Sequence, residues 1–347
     1  MKTRTWIAET IGLVAVVTLA VVATNWSIDF YGSFRGAKGL HLAGYGDVRI
    51  AKYLLNKRYV PDNFNSLIIG PSISGNWDGR GLERLSTYND SLVGGNIVEL
   101  KAIADQALAS SQIRVVILMV HPYLTATHDF KTVPLVPRLN NEALGSVNLE
   151  EAYKQRIREK LHLDSEEFDA FGVVDFTNAP NKMNPREKLM MTPGTDFTID
   201  PIAMQTYRDF ESELHARNVQ IIFVIPPFLQ SIYAGKPEAF KKYNNMILAD
   251  KAEQDQVIDF TSDEFTAFRS VAGNFRGVHL TNEAARRVVA VINERVDGWI
   301  REGVFTDLRG GALAQNLAGA GPFKADDRMR RRRADSIMAR AERRSAQ

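Results

Sequence analysis

The chain has 347 residues, enough for one large α/β core or for two domains of about 150 residues each. Hydrophobic residues make up 45% and charged residues 24%, which excludes a wholly disordered chain and a multi-span membrane protein. With no cysteine, disulfides, thiolate zinc sites, iron–sulfur clusters and a Cys nucleophile are excluded as well. The net charge of +2 is uneven: Lys324 to Gln347 holds nine Lys/Arg against four Asp/Glu, so a basic tail follows a mildly acidic body.

Thr10 to Ile28 contains no charged residue, and these 19 positions are long enough as a helix to cross a hydrocarbon layer of roughly 30 Å. Lys2 and Arg4 precede the stretch, and positive flanks stay cytoplasmic, so the remainder is expected outside. Trp26, Phe30 and Tyr31 would form the interfacial aromatic belt of a retained anchor; cleavage after the Val21 and Ala23 pattern is the alternative. The expected divisions are an anchor over 1–31, a juxtamembrane segment over 32–64, an α/β domain over 65–305 and a linker with basic tail over 306–347.

Runs rich in β-branched residues predict strands at Ser66 to Ile69, Leu85 to Tyr88, Ile113 to Val120, Val219 to Ile225 and Gln256 to Phe260. Helices are predicted at Asn96 to Ser110, Pro201 to Asn218, Pro237 to Gln254 and Thr281 to Glu302. Asp200 before Pro201 is an N-cap and first-turn pair, and Thr281 opens the last helix in the same style. Alternating strands and helices imply a five-stranded, doubly wound parallel sheet of flavodoxin-like order. An insertion at about 125–198, with a polar helix around Leu149 to Leu161, interrupts the rhythm and is placed to cover one rim of the sheet. Gly310 to Gly321 has the composition of a linker, and Arg330 to Arg333 that of a solvated tail.

In such a sheet ligands bind beyond the carboxyl ends of the strands. The first exit loop, Gly70 to Asn76, carries Ser72, a nucleophile candidate whose own N–H can hold an oxyanion; a plain helix cap is the other reading of Ser72 or Ser74. A phosphate cradle of Ser72, Ser74 and Asn76 around Gly75 is a further possibility. In the second rim loop the Gly94 or Gly95 N–H is a candidate oxyanion donor. A serine needs a base, and histidine suits that role. His279 stands in a loop before the last helix and His121 directly follows the third strand, with His128 seven residues on. His41, His162 and His215 are assigned to the anchor region or to helix surfaces. The histidines show no pairing on a helix face and the acids are scattered, so neither a metal nor another cofactor is expected.

Together these positions resemble the SGNH/GDSL hydrolase superfamily. Its first block, a strand followed by Gly-Asp-Ser, is similar to Leu67 to Ser72, with Pro71 in place of the aspartate. Its second block resembles Asn89 to Gly95, and its last, Asp-x-x-His-Leu, resembles Arg276 to Leu280. The resemblance implies a five-stranded sheet, Ser72 as nucleophile and His279 as base. Two departures stand out. Arg276 occupies the place of the aspartate that orients the histidine, so Asp259 or Asp263 is expected to serve instead. The third block, Gly-x-Asn-Asp, is replaced by His121, Pro122 and Tyr123, which leaves Asn76 or His121 to supply the side-chain oxyanion donor. His121, Tyr123, Asn274 and Arg276 are expected to line the substrate site.

An anchored, exported member with such blocks looks like the envelope subgroup that includes the D-alanyl-lipoteichoic acid and alginate O-acetylation proteins. That likeness implies a serine esterase or O-acyltransferase of the bacterial inner membrane, facing the periplasm, acting on polysaccharide beside a multi-span membrane acyltransferase. Nucleic acid is not expected as a partner. A non-catalytic relative that binds glycan or a membrane partner is the alternative, motivated by Arg276 and the missing third block.

Overall fold

The computed structural model describes residues 2–35, 38, 42, 44–126, 142–161, 168–176 and 196–308. Helix α1 (Lys2–Ile28) is long and apolar enough to cross a membrane, and its apolar side chains are exposed over most of its length. It is followed by α2 (Val48–Leu55), α3 (Tyr59–Asn63), β1 (Ser66–Ile69), β2 (Thr87–Asn89), α4 (Ile97–Leu108), β3 (Val115–Met119) and α5 (Val147–Lys160). Then come α6 (Pro201–Ala216), β4 (Gln220–Ile225), α7 (Pro237–Ile247), β5 (Gln256–Asp259), the short strands β6 (Phe275–Arg276) and β7 (His279–Leu280), and α8 (Asn282–Arg301).

The sheet is all parallel in the order β2-β1-β3-β4-β5. Every residue of β1 and β3 is buried, as expected for strands covered by helices on both faces. Side chains close the helix starts as the composition predicts. Asp200 accepts from the N–H of Ile202 (2.8 Å) and Ala203 (3.2 Å), with Pro201 in the first turn. Asn96 and Thr281 cap α4 and α8 in the same way. The chain leaves β1 towards β2 on one side and returns to β3 on the other, so the topological switch point lies between the carboxyl ends of β1 and β3.

Two expectations change. The juxtamembrane segment contributes to the body: α2 packs on α4, and Leu54, Leu55, Tyr59 and Val60 are buried in the main core. Phe30 and Tyr31 do not form a membrane belt with exposed Trp26; both are buried, with Phe30 packed edge-on against Tyr153 of α5 at 4.9 Å between ring centroids. The end of α1 is fastened there too. Asn25 donates to Leu144 O (2.7 Å) and accepts from the Tyr153 hydroxyl (2.6 Å). Asp29, in the left-handed region at φ 50°, turns the chain and accepts from the N–H of Ser33, Phe34 and Arg35. The apolar helix therefore meets the α/β body through a packed joint. His41, His128, His162, Gly310 to Gly321 and Arg330 to Arg333 lie outside the described residues.

Candidate active site at the sheet switch point

Ser72 leaves β1 in a single three-residue 3₁₀ turn rather than in a long helix. Its neighbours are held firmly. Buried Ser74 Oγ bonds to Pro71 O (3.1 Å) and to Ser91 Oγ (2.7 Å), and the Asn89 amide donates to the carbonyls of Ser74 (2.7 Å) and Trp77 (2.9 Å). Ser74 is thus occupied internally, which removes the phosphate-cradle arrangement. Ser72 itself is half-buried, and its Oγ lies 2.9 Å from His279 Nε2.

His279 reaches this place on a tight antiparallel pair. Phe275 faces Leu280 and Arg276 faces His279 across β6 and β7, with Gly277 at φ 60° making the turn. Asn76 ties this hairpin to the Ser72 turn: its Nδ2 donates to Leu280 O (2.9 Å) and to Asn282 Oδ1 (3.1 Å). The amide expected as an oxyanion donor is therefore committed to holding the two loops together. The segment 168–176 of the insertion also runs across this rim. Val174 N–H donates to Gly75 O (2.8 Å), and the Phe176 ring sits 4.9 Å from the imidazole of His279.

The carboxylates named from chain position do not meet the histidine. Asp259 Oδ1 accepts from the N–H (2.7 Å) and hydroxyl (2.6 Å) of Thr261, because a carboxylate ending a strand closes the turn two residues on. Asp263 opens a separate 3₁₀ turn, and neither residue bonds to His279. Gly95 directs its N–H to Leu92 O (3.1 Å) to close its own turn, leaving Gly94, at φ 66°, as the glycine of that loop still to be considered. Asn274 is buried, with its amide donating to Phe268 O (2.7 Å) and its oxygen accepting from Arg287, so it braces the hairpin against α8 and does not line an open site.

His121 has the more informative surroundings. The parallel register of β1 with β3 ends at Ile69 and Leu118, and Ser72 and His121 both stand in the exit turns just beyond those carboxyl ends. The imidazole is 1% exposed, stacked on Tyr123 (5.0 Å, 17°) and packed against Phe228 (5.3 Å). Its Nδ1 accepts from the Tyr123 N–H at 3.1 Å, which fixes the tautomer with the proton on Nε2. That buried Nε2–H has no hydrogen-bond partner among the described residues. Burial, reinforced by the positive charge that His279 can carry, pushes the His121 pKa down to about 3, so the ring stays neutral with its one proton on Nε2.

A buried lysine not singled out from the sequence supports the same rim. Lys52 of α2 is fully buried and donates to the carbonyls of Asn89 (2.7 Å), Ser91 (2.7 Å) and Gly172 (3.3 Å), joining the β2 exit loop to the insertion. Burial lowers its pKa and raises that of nearby Asp90, whose Oδ2 accepts from Asn56 (2.7 Å). The advance signal was a lysine set among the apolar residues of Ile50 to Leu55.

No known protein family and no curated protein matches the chain. Among solved structures, a chain from Streptococcus pneumonia, named provisionally as a platelet activating factor, is similar over 74% of this chain and 91% of its own. The identity is 16% and the TM-score 0.37.

Proposed function

We propose that this protein is a serine acyl-transfer enzyme resembling the SGNH hydrolases, an esterase or O-acyltransferase held to a membrane by α1. The single observation that carries this reading is the 2.9 Å contact between Ser72 Oγ and His279 Nε2, formed across 207 positions of chain at the switch point of the sheet. A half-exposed serine bonded to a half-exposed imidazole is the pairing that nucleophilic catalysis needs.

In the first half-reaction His279 Nε2 takes the proton from Ser72 Oγ as Oγ adds to the acyl carbonyl. The oxyanion is received by the Ser72 N–H and by the unpartnered Nε2–H of His121, the donor in the place of the missing side-chain amide. Collapse expels the alcohol, which leaves with the proton from His279, and Ser72 keeps the acyl group. In the second half-reaction His279 deprotonates an incoming hydroxyl, which takes the acyl group and returns the proton to Ser72. Water gives hydrolysis and a sugar hydroxyl gives transfer. An exported polysaccharide is the proposed acceptor, with the body on the periplasmic side of a bacterial inner membrane; support comes from the cytoplasmic-type flanks Lys2 and Arg4. A multi-span acyltransferase is the proposed acyl source.

The test uses the full chain in detergent micelles with p-nitrophenyl acetate and an active-site fluorophosphonate. Ser72→Ala is expected to abolish both turnover and covalent labelling. Labelling at another serine, or full turnover by Ser72→Ala, would overturn the assignment, and a wild-type protein that neither labels nor turns over would favour the glycan-binding alternative.

A further inference from the structure

Glu211 and His215 lie one helical turn apart on α6, so their side chains share a face. Asp255, the residue before β5, completes a group in which one ligand atom from each residue lies within 4.8 Å of the others. The group sits at the amino-terminal rim of the sheet, because Asp255 Oδ1 accepts from the N–H of Ile221 near the start of β4 (3.2 Å). That is the end opposite Ser72, and acyl transfer makes no use of it. The expectation of no metal site rested on the absence of paired histidines; a Glu–His pair meeting an acid forty residues further on escapes that criterion.

Glu211 is the observation that requires a ligand. It is 3% exposed, and neither of its carboxylate oxygens has a hydrogen-bond partner among the described residues. The adjacent Tyr207 hydroxyl gives its proton to Ile247 O (3.0 Å), although it also lies within electrostatic reach of the Glu211 carboxylate. A divalent cation at this point neutralises two carboxylates and occupies their lone pairs together.

We infer that Glu211, His215 and Asp255 bind one divalent transition-metal cation that fastens α6 to the β4–β5 side of the sheet. One imidazole and two carboxylates suit zinc or its neighbours better than magnesium, which prefers an all-oxygen octahedron. The supporting groups are in place: Asp255 Oδ2 also accepts from the Ala252 N–H (3.0 Å), so the carboxylate is oriented by two backbone donors. His215 Nε2 now stands 2.8 Å from Asp255 Oδ2. Zinc at about 2.1 Å from each would spread them to about 3.4 Å, a small rotation of the imidazole. The His215 side chain is 22% exposed, which gives the ion an entry path and a position for water as fourth ligand.

The full chain in detergent, stripped with chelator and dialysed, is titrated with zinc alone and then with cobalt(II), whose visible spectrum reports its ligands. One zinc per chain is expected, with wild-type cobalt bands of a four-coordinate N/O site. Glu211→Gln is expected to weaken zinc by at least about tenfold, a loss that even outer-shell changes reach, and to alter the cobalt spectrum. His215→Gln, at a partly exposed position, provides a second variant should Glu211→Gln fail to fold, and Ser72→Ala is expected to bind zinc as wild type does. Absence of zinc binding at micromolar concentration, or wild-type affinity and spectrum in a folded Glu211→Gln or His215→Gln, would overturn the site whatever the outcome at Ser72.

Discussion

Replacing His121 by phenylalanine separates packing from hydrogen bonding at the switch point. The ring lies between Tyr123 and Phe228 at 5.0 and 5.3 Å, so a phenyl group of similar shape can keep both contacts. Two polar interactions are lost. The Tyr123 N–H loses its acceptor, a cost of about 0.5–1.5 kcal/mol in stability for a part-buried hydrogen bond. The Nε2–H is no longer available to the oxyanion, and removal of one such donor lowers kcat by about 10²–10³-fold, or roughly 2.7–4 kcal/mol of barrier. His121→Gln can place an amide N–H near the position of Nε2 and is expected to recover part of the rate. A purely structural role predicts the opposite ranking, with Phe nearest to wild type. The assay is hydrolysis of p-nitrophenyl acetate by the detergent-solubilised chain, with kcat and KM resolved across pH 4–9. Since burial pushes the His121 pKa down to about 3, the ring is neutral throughout that range, so the ascending limb of rate with pH belongs to another group and is expected in both variants. A kcat for His121→Phe within about threefold of wild type, or disappearance of that limb, would refute the donor role.

The other expectations concern the frame around the pair. Asp259→Asn is expected to leave kcat/KM within about threefold of wild type, because its carboxylate closes a turn on Thr261; loss of a true orienting acid costs about 10⁴-fold. Asn76→Leu removes the tie between the Ser72 turn and β7, and a displacement of about 1 Å in the reacting pair is expected to lower kcat by about 10²-fold with little change in KM, read in the same assay. Lys52→Met leaves three buried carbonyls without their donor and Asp90 without its compensating charge; a loss of about 3 kcal/mol or more corresponds to a fall of about 6–12 °C in the melting temperature followed by circular dichroism.

The sheet and the positions of Ser72 and His279 on its rim were legible because each depends on local signals. Strands buried on both faces are continuous β-branched runs, and Asp200–Pro201 marks a helix start wherever the fold places it. The switch point then follows from strand order. What remained hidden depends on partners distant in sequence. Asn76 was legible as a polar residue near the serine, but its commitment to Leu280 O appears only once β7 is packed beside it. Asp259 had the right chain position and the wrong neighbour. The α2 and α3 helices fall in the stretch read only as a juxtamembrane segment, although Lys52 of α2 joins the loops beside Ser72.

The two histidines at this rim of the sheet show why residue type alone could not assign the work. A base must gain and lose a proton in every turnover; under the proposed mechanism that work falls to His279, half-exposed and 2.9 Å from Oγ. His121 cannot do it, since its imidazole is enclosed by aromatic rings and Tyr123 has already taken the lone pair of Nδ1. The same enclosure improves it as a donor: a neutral N–H fixed in direction and screened from water needs no reorganisation when negative charge develops in front of it. Exchange of the two environments would spoil both roles, whereas exchange of His121 for another neutral donor should preserve its own. For that reason recovery by His121→Gln is a stronger test of the arrangement than loss by His121→Phe.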